Sequence, residues 1–244
     1  GPPPAPGEAL PPLWHFLFFA DVRARSDLGE DGHPATGGFL PDTGLPRRMR
    51  AGGRLEYHAP LPVGVEAERV SVLQNVAIKQ GGSGTLAIVT VRREISGPQG
   101  LAIREEEDLV YRPAPGPDEK PRPAPPLKDE RPAFSKEMTA DEALLFRYSA
   151  LTFNGHRIHY DHPYATGVEG YPERVVHGPL LAQLLADLAR DETGREIRRF
   201  DFRAVSPVFC GQPFRLCGRT FGDGAELWVL NADGRLATEA RAKF

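Results

Sequence analysis

The sequence predicts an α+β protein made of two tandem repeats, each an antiparallel sheet curled around one apolar helix. Three observations carry this reading. Runs of alternating apolar and polar residues recur in the same order in both halves, a proline-rich stretch separates the halves, and each half offers one segment apolar enough for a buried helix. Alternation places one face of a strand against a core and the other toward water, whereas a segment apolar on every side must be covered all round.

The elements follow in chain order. Gly1 to Gly7 is rich in proline and glycine and can form neither a helix nor a central strand. A start on glycine rather than methionine carries the expectation of a removed tag or of native residues ahead of it. Pro12-Leu-Trp-His-Phe-Leu-Phe-Phe-Ala20, apolar and preceded by proline, is the expected helix of the first repeat. Arg54 to Gly64 alternates before a proline and a glycine, as a strand, turn and return strand. Leu86–Ile95 and Ala102–Tyr111 alternate again, joined by the hairpin chemistry of Ser96-Gly-Pro-Gln-Gly100. Pro113 to Pro126 holds seven prolines in fourteen residues and predicts an extended linker. The chain therefore divides into a repeat over 8–112, a linker over 113–130 and a repeat over 131–244.

In the second half, Thr139 to Tyr148 predicts an amphipathic helix, with Thr139 as cap and Glu142 completing a capping box. Pro179 to Ala189 is apolar on nearly every side, broken only by Gln183 and Asp187. Proline at its start and Gly194 beyond its end are the expected punctuation. Arg199 to Gly211 repeats the strand-turn-strand pattern, and Leu227–Leu230 and Leu236–Phe244 flank the turn Asn231-Ala-Asp-Gly234. A long antiparallel sheet around a central apolar helix is the hotdog arrangement, so the chain reads as a double hotdog.

Composition narrows the function. With 244 residues, 40% of them hydrophobic, and a net charge of −3, the chain can pack a core but has no electrostatic case for nucleic acid or an acidic membrane surface. No run of about 18 apolar residues exists, so no membrane span is expected, and the reading is soluble and cytoplasmic. Cys210 and Cys217 lie at odd spacing on a presumed strand and face opposite sides, which suits neither a disulfide nor a metal clip.

The chemistry concentrates in one stretch. Within the eight positions from Asn154 to Asp161 lie the amide of Asn154 and three groups that exchange or orient protons, His156, His159 and Asp161. Val176-His-Gly-Pro-Leu180 follows as a helix start. A metal reading of the His-x-x-His spacing lacks an evident third ligand, and no metal is expected.

These residues carry a resemblance. Phe153-Asn-Gly-His-Arg-Ile-His-Tyr-Asp161 with Val176-His-Gly-Pro-Leu180 resembles the hydratase segment of MaoC-like enzymes. In detail it is similar to the double-hotdog branch that holds mesaconyl-C4-CoA (3-methylfumaryl-CoA) hydratase and the type 2 hydroxyacyl-thioester dehydratases. Pro11-Pro-Leu-Trp14, Gly37-Gly-Phe-Leu-Pro41, Leu45-Pro-Arg-Arg-Met49 and Ala51-Gly-Gly-Arg54 are similar to that branch too. The resemblance implies reversible addition of water across the 2,3 double bond of an acyl thioester. Its concrete form is a short branched ester such as 3-methylfumaryl-CoA, giving citramalyl-CoA. No cofactor is implied, because CoA belongs to the substrate. The broader MaoC-like pattern has aspartate five residues before the histidine of its Ile-His pair, and here that position is Asn154, an amide that orients water but takes no proton at neutral pH.

Hydration needs a base for water attacking C3, an acid for C2, and donors for the enolate-like oxygen. The expected assignment is His159 as leading acid/base, His156 second, Asp161 fixing an imidazole or serving as alternative base, and Asn154 positioning water. The Gly178 amide at a helix start would supply the oxyanion donor, with His177, Tyr160 and Arg157 as further substrate-binding candidates. Arg47, Arg48, Arg50 and Arg54 are expected to be solvated or paired locally, with a substrate phosphate or carboxylate as the alternative partner. The first half has no counterpart of the histidine-rich loop, so it is expected to be non-catalytic and to accommodate the acyl chain; the fused pair leaves room for a homo-oligomer. Two other functions fit a hotdog, an acyl-CoA thioesterase and a non-catalytic acyl-thioester binding module.

Overall fold

The computed structural model describes residues 3–81, 84–114, 125 and 131–244; most of the expected proline-rich linker lies outside these residues. Nine strands form one antiparallel sheet: β1 Arg47–Tyr57, β2 Glu68–Gly81, β3 Gly84–Gly97, β4 Gly100–Arg112, β5 Phe134–Thr139, β6 Arg199–Ala204, β7 Pro213–Phe221, β8 Gly224–Leu230 and β9 Leu236–Lys243. Their order is β2-β3-β4-β1-β6-β9-β8-β7-β5. Each half thus holds four strands, β1–β4 and β6–β9, whose first lies beside its fourth; β5 adds an edge strand beside β7, and the two halves meet edge to edge where β1 pairs with β6. The pairing register runs from Gly52 opposite Arg203 to Glu56 opposite Arg199. Glycine is required at this seam: a Cβ on Gly52 would stand 2.4 Å from the Phe202 carbonyl oxygen.

Three helices accompany the sheet, α1 Glu142–Thr152, α2 His162–Gly167 and α3 Gly178–Thr193. The last is the rod foreseen from the sequence. Leu180, Leu181, Leu185 and Leu188 are buried against Phe200, Phe214, Leu216 and Leu227 of the second half, and Gly194 ends the helix in the left-handed conformation at φ 65°. No helix among the described residues is long and apolar enough to cross a membrane. Both cysteines are buried and unbridged.

Two expectations need correction. Asp141, not Thr139, caps α1, its carboxylate accepting from the Leu144 amide at 2.8 Å; Thr139 is the last residue of β5. In the first repeat, the segment expected to be a helix forms a single 3-10 turn, Trp14–Leu17, between Leu13 and Phe19 at φ 70° and 60°. The reason lies in the sheet beneath. The inner face of β4 presents Glu105 and Glu107, both buried, and these pair with Arg50 of β1 and Arg93 of β3. A rod apolar all round would seal those ion pairs away from water, which is costly even for paired charges. Instead His15 alone reaches down, its Nε2 3.6 Å from Glu105, and the space the helix would have filled stays open.

Candidate active site

That space is part of a cavity of about 1650 Å³ bordered by both halves, larger than the ~300–1,000 Å³ usual for a small-molecule pocket. From the second half come Asn154, His156, His159 and Gly178; the first half contributes His33 and Arg48.

The second-half groups are placed by a tightly turned loop. Phe153, at φ 52°, ends α1 in the left-handed conformation and turns the chain into the site. Asn154 Oδ1 then accepts from the His156 amide at 3.0 Å, which shapes the loop and leaves its side-chain N–H₂ to the cavity. One 3-10 turn, Arg157–His159, brings His159 back under the start of α3. There His159 Nδ1 donates to the Val175 carbonyl at 2.7 Å. A carbonyl only accepts, so Nδ1 carries the hydrogen and Nε2 keeps its lone pair.

Four imidazoles stand in a row. His33 lies 4.3 Å from His156 between ring centroids, His156 meets His159 edge-on at 5.5 Å, and His159 stacks on His177 at 3.7 Å. Burial depresses all four: His159 falls to about 4, His156 and His177 to about 2, and His33 falls too; neighbouring rings add to the effect on His156, His159 and His177, and Arg48 adds to it on His33. The row is therefore neutral at pH 7. Behind His33 stands Asp31, whose carboxylate accepts from His33 Nδ1 at 2.8 Å. Burial pushes Asp31 up, but the hydrogen bonds from the His33 ring and amide outweigh it and hold the carboxyl well below its usual range. Asp31, His33 and His156 each offer a ligand atom within 4.8 Å of the others, a possible cation grouping completed by the first half.

The first-half loop is locked onto the second. The Arg157 amide donates to the Asp31 carbonyl at 2.8 Å, and Gly32 faces Gly155 so closely that a Cβ on Gly155 would lie 2.6 Å from the Gly32 oxygen.

At the opening of α3, His177 makes no side-chain cap hydrogen bond. Gly178 borders the cavity at the positive end of a 16-residue helix, a place suited to developing negative charge.

Four expected site residues stand elsewhere. Asp161 touches no imidazole: it caps α2 through the Tyr164 amide at 3.1 Å and accepts from Arg157 at 2.9 and 2.7 Å. The parts expected of it are taken by the Val175 carbonyl for His159 and by Asp31 for His33. Arg157 lies over the Tyr164 ring and donates to the Glu30 carbonyl, outside the cavity lining. Tyr160 is 48% exposed and donates to the Gly155 carbonyl. His177 is fully buried, stacked on His159 with Nε2 2.8 Å from Ser149 Oγ, and is outside the cavity lining. Conversely, sequence reasoning missed Asp31 and His33. The Asp-x-His spacing and the following Pro34 were the available signal, but nothing in chain order joins them to a loop more than a hundred residues away.

A family model described as hydroxyacyl-thioester dehydratase type 2 matches residues 13–210. The mesaconyl-C(4)-CoA hydratase of Chloroflexus aurantiacus is 48% identical over 243 residues, 99% of this chain and 86% of that protein. The mitochondrial hydroxyacyl-thioester dehydratase type 2 of Schizosaccharomyces pombe is 30% identical over 247 residues, 91% of this chain and 80% of that protein. Among solved structures, HtdX from Mycobacterium tuberculosis aligns with a TM-score of 0.71 at 18% identity, covering 97% of this chain and 89% of its own. A MaoC-like dehydratase from Phytophthora capsici aligns at 0.65 and 15% identity, covering 95% and 90%. These two share the fold.

Proposed function

The chain belongs to the hydroxyacyl-thioester dehydratase type 2 family, and from that premise we propose that it is a hydro-lyase adding water reversibly across the 2,3 double bond of an enoyl thioester. The substrate in this reading is a short branched CoA ester such as 3-methylfumaryl-CoA, yielding citramalyl-CoA, in keeping with the name of the 48% identical relative. The observation that carries it is His159, buried, neutral and held by Val175 so that Nε2 is a proton acceptor at the cavity.

Water held by the Asn154 amide gives a proton to His159 Nε2 as its oxygen bonds to C3. The electron pair of the double bond moves toward the thioester oxygen, where the Gly178 N–H at the start of α3 receives the charge. The imidazolium then returns its proton to C2, and His159 is neutral again. His156 stands beside it as the second proton-transfer group, with the ionised Asp31 behind His33 supplying the carboxylate that Asn154 lacks.

The reading includes a cytoplasmic setting, self-association as a homo-oligomer and no resident cofactor or metal. Incubation with a panel of enoyl-CoAs tests it: enoyl absorbance should fall without release of free thiol, and dialysis against a chelator should leave the rate unchanged. Thiol release without hydration would make the protein a thioesterase. Binding without turnover would make it a carrier module. Activity lost to the chelator and restored by zinc would put a metal on Asp31, His33 and His156.

A further inference from the structure

The arginines of β1 do not share one environment. Arg47 donates to Glu169 at 2.6 Å, Arg50 pairs with Glu107, and Arg54 pairs with Glu106 and Asp108 at 2.7 and 2.6 Å. Arg48 makes no ion pair with a carboxylate among the described residues. It is nevertheless only 9% exposed, and it borders the cavity. Its charge acts on both His33 and His156, which places it beside the imidazole row. Its cross-strand partner Tyr111, buried in the sheet, carries a hydroxyl within hydrogen-bonding reach of the same guanidinium.

A guanidinium stays charged at any physiological pH, and burying it without a counter-ion is costly. Its planar fork matches a carboxylate in two parallel hydrogen bonds. An anion seated there would neutralise Arg48. The phosphates of CoA are a poor fit for this place, because they lie at the far end of the carrier arm from the reacting carbons.

We propose that Arg48 binds the free carboxylate of an acyl group such as 3-methylfumaryl, next to the reacting carbon, and so sets the preference of the site for half-thioesters of dicarboxylic acids. This rests on the hydration reading for its meaning, but the recognition itself is a binding event and is measurable without turnover. Arg48 is a specificity-determining residue here, one that moves no proton.

Calorimetric titration with succinyl-CoA and butyryl-CoA, two saturated thioesters that differ at the end of the acyl group, gives the test. The wild-type protein should bind the acid tighter by about 10- to 100-fold, the range expected for a charge-assisted bidentate contact. Arg48→Gln should abolish that ratio, and Arg48→Lys should restore only part of it. Equal binding of the two thioesters by the wild type would overturn the proposal before any variant is made. An undiminished ratio in a folded Arg48→Gln protein would overturn it as well. Should the acid preference hold while no enoyl-CoA is hydrated, the hydration reading fails and the carboxylate site stands.

Discussion

The decisive residue is His159, and its protonation state follows from where it sits. Burial pulls the imidazole down to about 4, so the lone pair on Nε2 is present at neutral pH and is lost only when pH falls through that value. The rate of hydration at low substrate, kcat/KM, should therefore be flat from about pH 5 upward and drop toward pH 4; an inflection near the ordinary imidazole value of about 6.5 would contradict this environment. The sign for stability is the same. The folded state binds fewer protons on this ring than the unfolded chain does, so acid below about 6.5 progressively favours unfolding. The loop from Asn154 to His159 was legible because its members are contiguous and chemically rare together. Asp161 was misplaced for the same reason: nearness in sequence put it with the histidines, whereas its carboxylate answers the nearest free amides at the start of α2 and the guanidinium four residues back.

Among the elements, α3 was readable end to end. Its apolar surface, its proline near the start and Gly194 after it all describe a rod that must be covered. The first-half helix was not, because local apolar character says nothing of the charged sheet face below it, and Glu105 and Glu107 leave no dry bed for such a rod. The contact between the Gly32 and Gly155 loops was equally hidden, since each glycine reads as an ordinary turn former. Gly155→Ala should slow hydration by about 10-fold or more and destabilise the fold by about 1–3 kcal/mol, as overpacking against backbone does. Rate measurements paired with urea unfolding check this. Gly167→Ala, at a position where a Cβ meets nothing within 4 Å, should leave both near wild type.

At the scale of the molecule, two halves join through β1 and β6 into a single sheet, yet the halves are used differently. One wraps the rod whose start, at Gly178, borders the cavity. The other keeps its concave side open and lends His33 and Arg48 to the same cavity, with Asp31 behind His33, so the half expected to be only a pocket wall brings titratable groups of its own. The repeat itself was visible in the alternating strands; the division of labour was not, because it arises from contacts across the seam between halves. The fold as a whole keeps His159 buried and neutral at the cavity, where the proposed function needs a proton acceptor. The most direct measurement is the initial rate of enoyl-CoA hydration by His159→Ala beside the wild type, with matching circular dichroism spectra to establish intact folds. A fall of about 100-fold or more is expected from loss of a general acid/base; a folded variant turning over near the wild-type rate would contradict the account.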